Sequence, residues 1–250
     1  MKIQVLSDLH LEINPCDVPI VGDVIALAGD IHVGIEGIAW AKKHFHGKPV
    51  VYVAGNHEFY RHLFPDLLSD LRAEAAGSNV AFLENDVFVT GGVRFLGATL
   101  WTDFTLNGYA RQDISMAAAK HGLNDFRAIK KASGELLRSG DVAEAYRQSI
   151  EWLRERLDEK HDGPTVVVTH HAAHPMSCHP MLRYDVLTPA FTSNLENLIL
   201  DSQIDLWVTG HTHHCVDFHI GRTHMVSNQR GYSDQDDTGG FELEFVVEIW

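Results

Sequence analysis

The chain has 250 residues, 45% of them hydrophobic, with 20 Lys and Arg against 34 Asp and Glu and a formal net charge of −14. This is enough apolar content for a full core, no Ser- or Pro-rich linker divides it, and one domain over residues 1–250 is expected. The charge, which two bound dications would bring only to about −10, repels polyanions and weighs against nucleic acid or an anionic membrane as main partner, although a local positive site can still attract a small anion.

Taken in order, Lys2 to Leu6 is an apolar run that ends at Ser7-Asp8-Leu9-His10. Val21 to Gly29 is a second run, apolar on both faces, and it stops at Asp30. Gly34 to His46 has a loosely helical pattern closed by Gly47, a crossover that makes the next strand parallel. That strand is Val50 to Ala54, followed by Gly55-Asn56-His57-Glu58; Leu63, Leu67, Leu68 and Leu71 then mark one face of a second helix. Val80 to Leu83, Val87 to Thr90 and Val93 to Leu100 are short β runs parted by turn residues, expected to be antiparallel strands that begin a second sheet.

Trp101 to Gly140 is polar and only patchily helical. It reads either as a peripheral helical layer, the alternative we favour, or as an insertion near the site that shapes substrate choice. Asp141 and Glu144 have capping-box spacing at the start of a long helix through Ile150, Leu153 and Leu157. The strand Val166 to Thr169 follows, then a loop holding His170, His171, His174 and His179. Ser193 with Glu196 repeats the capping box, and the strand Asp205 to Thr209 leads into Gly210-His211-Thr212-His213. Val216 to Ile220, His224 to Val226 and Phe241 to Ile249 close the chain as short β, the last alternating with glutamates so that one face is wet. The pattern fits an α/β fold of two packed mixed β-sheets flanked by helices.

The three cysteines, Cys16, Cys178 and Cys215, are too few and too far apart for a disulfide framework, which fits a reducing cytoplasmic compartment. The N-terminus enters a strand at once, and no run approaches the roughly 18 to 20 apolar residues of a membrane span. No targeting segment and no membrane partner are therefore expected. Oligomeric state leaves no signature.

Singly, Asp8-x-His10, Gly29-Asp30 or His211-x-His213 is weak, since polar pairs after a strand are often just solvated loop. Jointly, five apolar runs each deliver Asp, His or Asn just past the last hydrophobic residue, where open α/β sheets collect ligands. Mixed His, Asp and Asn donors without thiolate suit borderline divalent ions such as Mn²⁺, Fe²⁺ or Zn²⁺. Two such ions about 3.5 to 4 Å apart clamp a phosphoryl group and lower the pKa of a bridging water toward roughly 7, so that hydroxide rather than a side chain attacks.

The ordered set Asp8-x-His10, Gly29-Asp30, Gly55-Asn56-His57-Glu58, His170 after a Val-rich strand and Gly210-His211-x-His213 closely resembles the calcineurin-like metallophosphoesterases. The resemblance spans Asp8 to His213. It implies a four-layer αββα sandwich with two metal ions at the sheet edge, one held by Asp8, His10, Asp30 and His213, the other by Asp30, Asn56, His170 and His211. Asp30 would bridge them. His57 would protonate the leaving oxygen or steady the transition state, and Glu58 would fix the loop.

The implied activity is hydrolysis of a small-molecule phosphomonoester or phosphodiester. After Asp30 the chain reads Ile-His-Val-Gly, without the Asp-Arg-Gly of the protein serine/threonine phosphatases, and the acidic charge disfavours a nuclease. A non-catalytic binding module is the remaining alternative, against which the retained ligand set and His57 argue. The metallo-β-lactamase pattern fails because the run His211-Thr-His213-His214-Cys215-Val216 contains no Asp. His170 is preferred to His171 only as first after its strand. Arg61, Arg183 and Arg230 are candidates to hold phosphate. Cys215 reads as a small buried residue, and His32, His214 and His219 as ordinary loop or strand histidines.

Overall fold

Alternation along each buried strand decides how the layers of this computed structural model stack; it describes residues 1–232 and 239–250. In chain order the first part runs β1 (Lys2–Leu6), β2 (Val24–Ala28), α1 (Glu36–His44), β3 (Val50–Val53), β4 (Leu63–Phe64), α2 (Leu67–Ala75), β5 (Val80–Phe82), β6 (Asp86–Thr90) and β7 (Val93–Ala98). Then follow α3 (Gln112–Gly122), α4 (Asp125–Ala128), β8 (Lys130–Lys131), α5 (Ser139–Asp158), β9 (Thr165–Thr169) and α6 (Glu196–Asp201). Last come β10 (Leu206–Val208), β11 (Val216–Ile220), β12 (Thr223–Ser227) and β13 (Val246–Glu248).

One sheet has the order β13-β1-β2-β3-β5, the other β11-β12-β10-β9-β7-β6. Central neighbours pair in parallel, and β13, β11 and β6 are antiparallel edges. Val24, Ala26, Ala28, Val51 and Val53 point inward onto Phe95, Val166, Val168, Leu206 and Val208 of the other sheet. The alternate residues Ile25, Leu27, Val50 and Tyr52 point outward beneath Ile38 and Ala41 of α1, Phe45 just after it, and Leu67 and Leu71 of α2. On the far side Leu96, Val167, Trp207 and Met225 are covered by Ile150 and Leu153 of α5 and Ile199 of α6. Each fully buried Val, Leu or Ile contributes about 1.5–3 kcal/mol, which is why the central strands are apolar on both faces. The result is four layers, αββα.

Several local expectations are corrected. Val80–Phe82 is not the start of the second sheet; it is a parallel edge of the first, paired with β3, because it follows α2 as a crossover. Leu63 lies in β4, paired with β8, and not on α2, since Pro65 disfavours helical backbone at Phe64 and the helix begins only at Leu67. The capping box of α5 uses Asp141 at its third position rather than as cap: its Oδ2 accepts from Arg138 N at 2.9 Å, while Glu144 pairs with Arg147. The second box is also replaced, because Asn194 Oδ1, not Ser193, accepts from Glu196 N, at 3.2 Å. Of Phe241 to Ile249 only Val246–Glu248 is strand, against β1.

With β1, β2 and β3 parallel in one sheet and β9, β10 and β12 parallel in the other, the loops after all six emerge at one edge of the sandwich. A bridge between Ser7 and Gln229 joins the two sheets there, supported by Asn228 Nδ2 donating to Val5 O at 2.7 Å.

Candidate functional site

The loops at that edge bring two donor groups together, Asp8 with His10 and His213, and Asp30 with His170 and His211; within each group one ligand atom per residue lies within 4.8 Å of the others. Asp30 faces both. Its Oδ1 is 3.4 Å from His170 Nε2, and its Oδ2 is 3.9 Å from His10 Nε2. His10 Nε2 and His213 Nε2 stand 3.2 Å apart, with Asp8 Oδ1 3.4 Å from the latter.

Five of these side chains sit on strained backbone. Asp8, His10, Asp30, His211 and His213 all have φ between 45° and 69°, a region costing non-glycine residues of order 1–3 kcal/mol and found where a site needs a particular side-chain direction. Gly55 and Gly210 make room: a Cβ at Gly55 would strike Asp30 Oδ1, and one at Gly210 would strike Ser7 Oγ and Asp8 Oδ2.

The surrounding hydrogen bonds orient lone pairs toward shared points. His170 Nδ1 must donate to Ala28 O at 2.8 Å, which leaves Nε2 as the atom that can offer a lone pair to the site. It meets Asn56 Oδ1 at 3.0 Å, and Asn56 is aimed that way because its Nδ2 donates to Asp125 Oδ1 at 2.9 Å. Acceptor facing acceptor needs either a proton or a cation between them. His211 Nε2 is buried without a hydrogen-bond partner, and burial among His171 and His170 holds that ring well below its ordinary pKa, the neutral form a metal requires. Burial raises the pKa of Asp8, but a hydrogen bond from His213 and the charges of His170, His213 and His10 outweigh it and keep the carboxylate ionised. The donor set therefore fits two dications.

Glu58 ties the loops together from below. Its Oε2 accepts from Asp30 N at 3.0 Å and Gly55 N at 2.7 Å, and its Oε1 from Ile31 N at 3.0 Å and Tyr52 Oη at 2.7 Å. Burial, then the nearby Asp30, raises its pKa.

His57 lies beside the two groups. Its backbone N donates to Asp30 Oδ1 at 2.8 Å, Nδ1 is 3.2 Å from Glu12 Oε1 and Nε2 is 2.9 Å from Tyr232 Oη. Burial alone would lower its pKa, but Asp30 and Glu12 push it up to about 9 in the metal-free chain.

His170, not its neighbour, enters the cluster with Asp30; His171 turns Nδ1 toward Thr99 O at 3.2 Å. Arg230 is drawn away from the site, donating to Leu9 O at 3.0 Å and Asn14 O at 2.5 Å, so it braces the Asp8 loop. Arg61 lines a cavity of about 560 Å³ that Glu12, His57 and Tyr60 line as well, so it adjoins the site on the His57 side, and Arg183 lines neither that cavity nor the cleft over the donors. Cys215 Sγ accepts from Gln229 N at 3.2 Å and is engaged there.

Sequence reasoning missed Glu12, Asp125, Tyr60 and Tyr232. Glu12 extends the alternation Asp8-x-His10-x-Glu12 and could have been found. Tyr232 follows β12, a strand whose loop reaches the same edge. Nothing local marks Asp125, which lies in the 101–140 segment and also receives Tyr60 Oη at 2.8 Å. A cleft of about 330 Å³ opens over the donors, walled by Leu123, Asn124 and Asp125 on one side and by Phe191 and Tyr232 on the other. No helix among the described residues is long and apolar enough to cross a membrane.

The sequence profile of the calcineurin-like phosphoesterases matches residues 1–215. An uncharacterized protein of Acanthamoeba polyphaga mimivirus is 26% identical over 206 residues, 74% of this chain and 69% of that protein. Among solved structures, phosphopantetheinyl hydrolase from Mycobacterium tuberculosis shares the fold with a TM-score of 0.74 at 17% identity, covering 95% of this chain and 93% of that one. The anchor in the inner membrane complex of Plasmodium also shares it, with a TM-score of 0.50 at 12% identity over 98% of this chain and 77% of that one. The fold therefore accompanies more than one role, and it is the profile match over most of the sequence that assigns the family: the chain belongs to the calcineurin-like phosphoesterases.

Proposed function

We propose that this chain hydrolyses a small phosphorylated organic molecule, a phosphomonoester or phosphodiester, with two divalent metal ions as cofactors. The observation that carries the reading is the position of Asp30, whose two oxygens face two separate donor groups. Asp8, His10, Asp30 and His213 would hold one ion, and Asp30, Asn56, His170 and His211 the other; the mixed nitrogen and oxygen set suits Mn²⁺, Fe²⁺ or Zn²⁺. When bound, the ions supply charge to neutralise phosphoryl oxygens and acidity to a water that attacks phosphorus.

The chain's own residues do the rest. Glu12 holds His57 Nδ1–H, which leaves Nε2 to face the site and deliver a proton to the departing alcohol oxygen as its bond to phosphorus breaks. Asp30 and Glu12 hold the proton on His57 in the metal-free chain, so the ring is charged and able to donate near neutral pH. Leu123, Asn124 and Asp125 give the 101–140 segment a wall of the cleft, which supports its role in substrate choice.

The test is metal analysis with turnover. The protein should hold about two ions per chain, and Asp30→Ala should lose both and lower kcat/KM on a panel of phosphomonoesters and diesters by about 10³-fold or more, the scale of several kcal/mol of charge stabilisation. A metal-free Asp30→Ala protein with full activity would overturn the reading.

A further inference from the structure

The cleft over the donors continues sideways. Phe191 and Thr212 line it, and they also line a second cavity of about 250 Å³ whose other walls include Leu182, Leu187 and Cys178. Together the two spaces fall within the roughly 300–1,000 Å³ of ordinary small-molecule sites. Phe191 lies over His211, with ring centroids 4.7 Å apart and planes 24° from parallel, so anything in the side cavity adjoins the donor groups directly.

The chemistry of the walls is one-sided. Among the described residues lining the side cavity there is no lysine or arginine, and its one carboxylate is Asp185, whereas the cleft over the donors is lined by Asp30 and Asp125 together with His57. A second phosphate or a carboxylate placed in the side cavity would need a cationic partner there and would meet Asp185 instead. The loop that builds the cavity is more apolar than its position demands, with Met181, Leu182 and Tyr184 87%, 54% and 91% exposed. Its inner wall is fixed by the end of α3: a Cβ on Gly122 would come within 3.1 Å of Leu187 Cδ2, so the glycine leaves space in which Leu187 lies between the two segments.

We infer that this side cavity seats the organic group of the substrate, and that the group is uncharged and largely apolar, carried on a single phosphoryl group. The inference rests on the phosphoesterase reading and narrows its substrate class. It places Leu182 and Leu187 as specificity-determining residues.

The experiment uses the full chain loaded with Mn²⁺. One arm measures kcat/KM for straight-chain alkyl phosphates from two to eight carbons, and the other measures by calorimetry the Kd of the matching alkylphosphonates, which are not turned over. Both should improve about threefold to fourfold for each methylene buried, over several carbons. Leu182→Gln and Leu187→Gln should each flatten that slope, losing about tenfold or more on the longer members relative to the shortest, whereas Val89→Gln, on β6, should keep it. Turnover with a flat chain-length series, or an unchanged slope in both leucine variants, would overturn the assignment of the cavity alone. Absence of turnover with every ester at full metal load would overturn the phosphoesterase reading, and this inference with it.

Discussion

The Glu12 carboxylate and the His57 imidazole are joined by a 3.2 Å contact between Oε1 and Nδ1, in which Glu12 is the acceptor. Glu12 stays ionised for this: burial raises its pKa, but His10, 3.5 Å away, and the hydrogen bond from His57 bring it down to about 2. The contact settles the His57 tautomer and keeps its proton-bearing nitrogens in known directions, one toward Glu12 and one toward Tyr232 and the cleft.

Its first consequence is a pH dependence of stability in chelator. The His57 pKa rises from 6.5 to about 9 on folding, so its contribution is fully present below pH 6.5 and lost as pH climbs through about 9. Glu12→Gln removes part of that rise. The unfolding free energy of wild type minus variant should therefore be largest between about pH 4.5 and 6.5, above the unfolded Glu12 value and below that of His57, and shrink by roughly 1 to 2 kcal/mol up to pH 9, since a unit of pKa is about 1.4 kcal/mol. A difference that stays constant over this window in denaturant titrations would show that Glu12 does not set the His57 charge.

A second prediction separates proton donation from binding. General acid catalysis is worth about 10² to 10⁴ in rate, and only a poor leaving group needs it. His57→Asn should cost much more with alkyl phosphoesters than with nitrophenyl ones, at unchanged metal content. Equal losses in kcat/KM on both would make His57 a phosphate-positioning residue, and loss of metal would make it a support for the ligands.

Glu58 offers a stability test. Glu58→Ala leaves three buried backbone N–H groups and the Tyr52 hydroxyl without their acceptor, at about 1–3 kcal/mol each. A Tm lowered by roughly 10 °C or more is expected in a chain of this size, together with weaker metal binding, because Asp30 loses its backbone anchor. Thermal unfolding with and without Mn²⁺ measures both.

Asp125 tests whether the 101–140 segment only covers the site. Asp125→Ala frees the Asn56 amide to rotate and should weaken the metal beside Asn56 and His170 by about 10- to 100-fold, the usual cost of removing a group that orients a ligand. Metal titration followed by calorimetry should show one of two sites weakened. Two unchanged sites would make the Asn56–Asp125 hydrogen bond incidental.

The order of strands and the candidate donors were legible because both are local properties. An apolar run ending at Asp8, Asp30, Asn56, His170 or His211 carries its own evidence, since burial on both faces and a stop at a polar residue involve only chain neighbours. The edge that gathers them also follows, because crossover helices force parallel strands whose ends point one way. The assignment of Val80–Phe82 to the first sheet, the pairing of Asp125 with Asn56 across 69 residues and that of Tyr232 with His57 across 175 were decided only by the packed structure. No periodicity links positions so far apart: which side chains meet depends on how helices and loops settle onto the finished sandwich. The side cavity belongs to the same class, for Leu182, Leu187 and Phe191 become one wall only when the end of α3 and the loop after β9 close over the candidate donors.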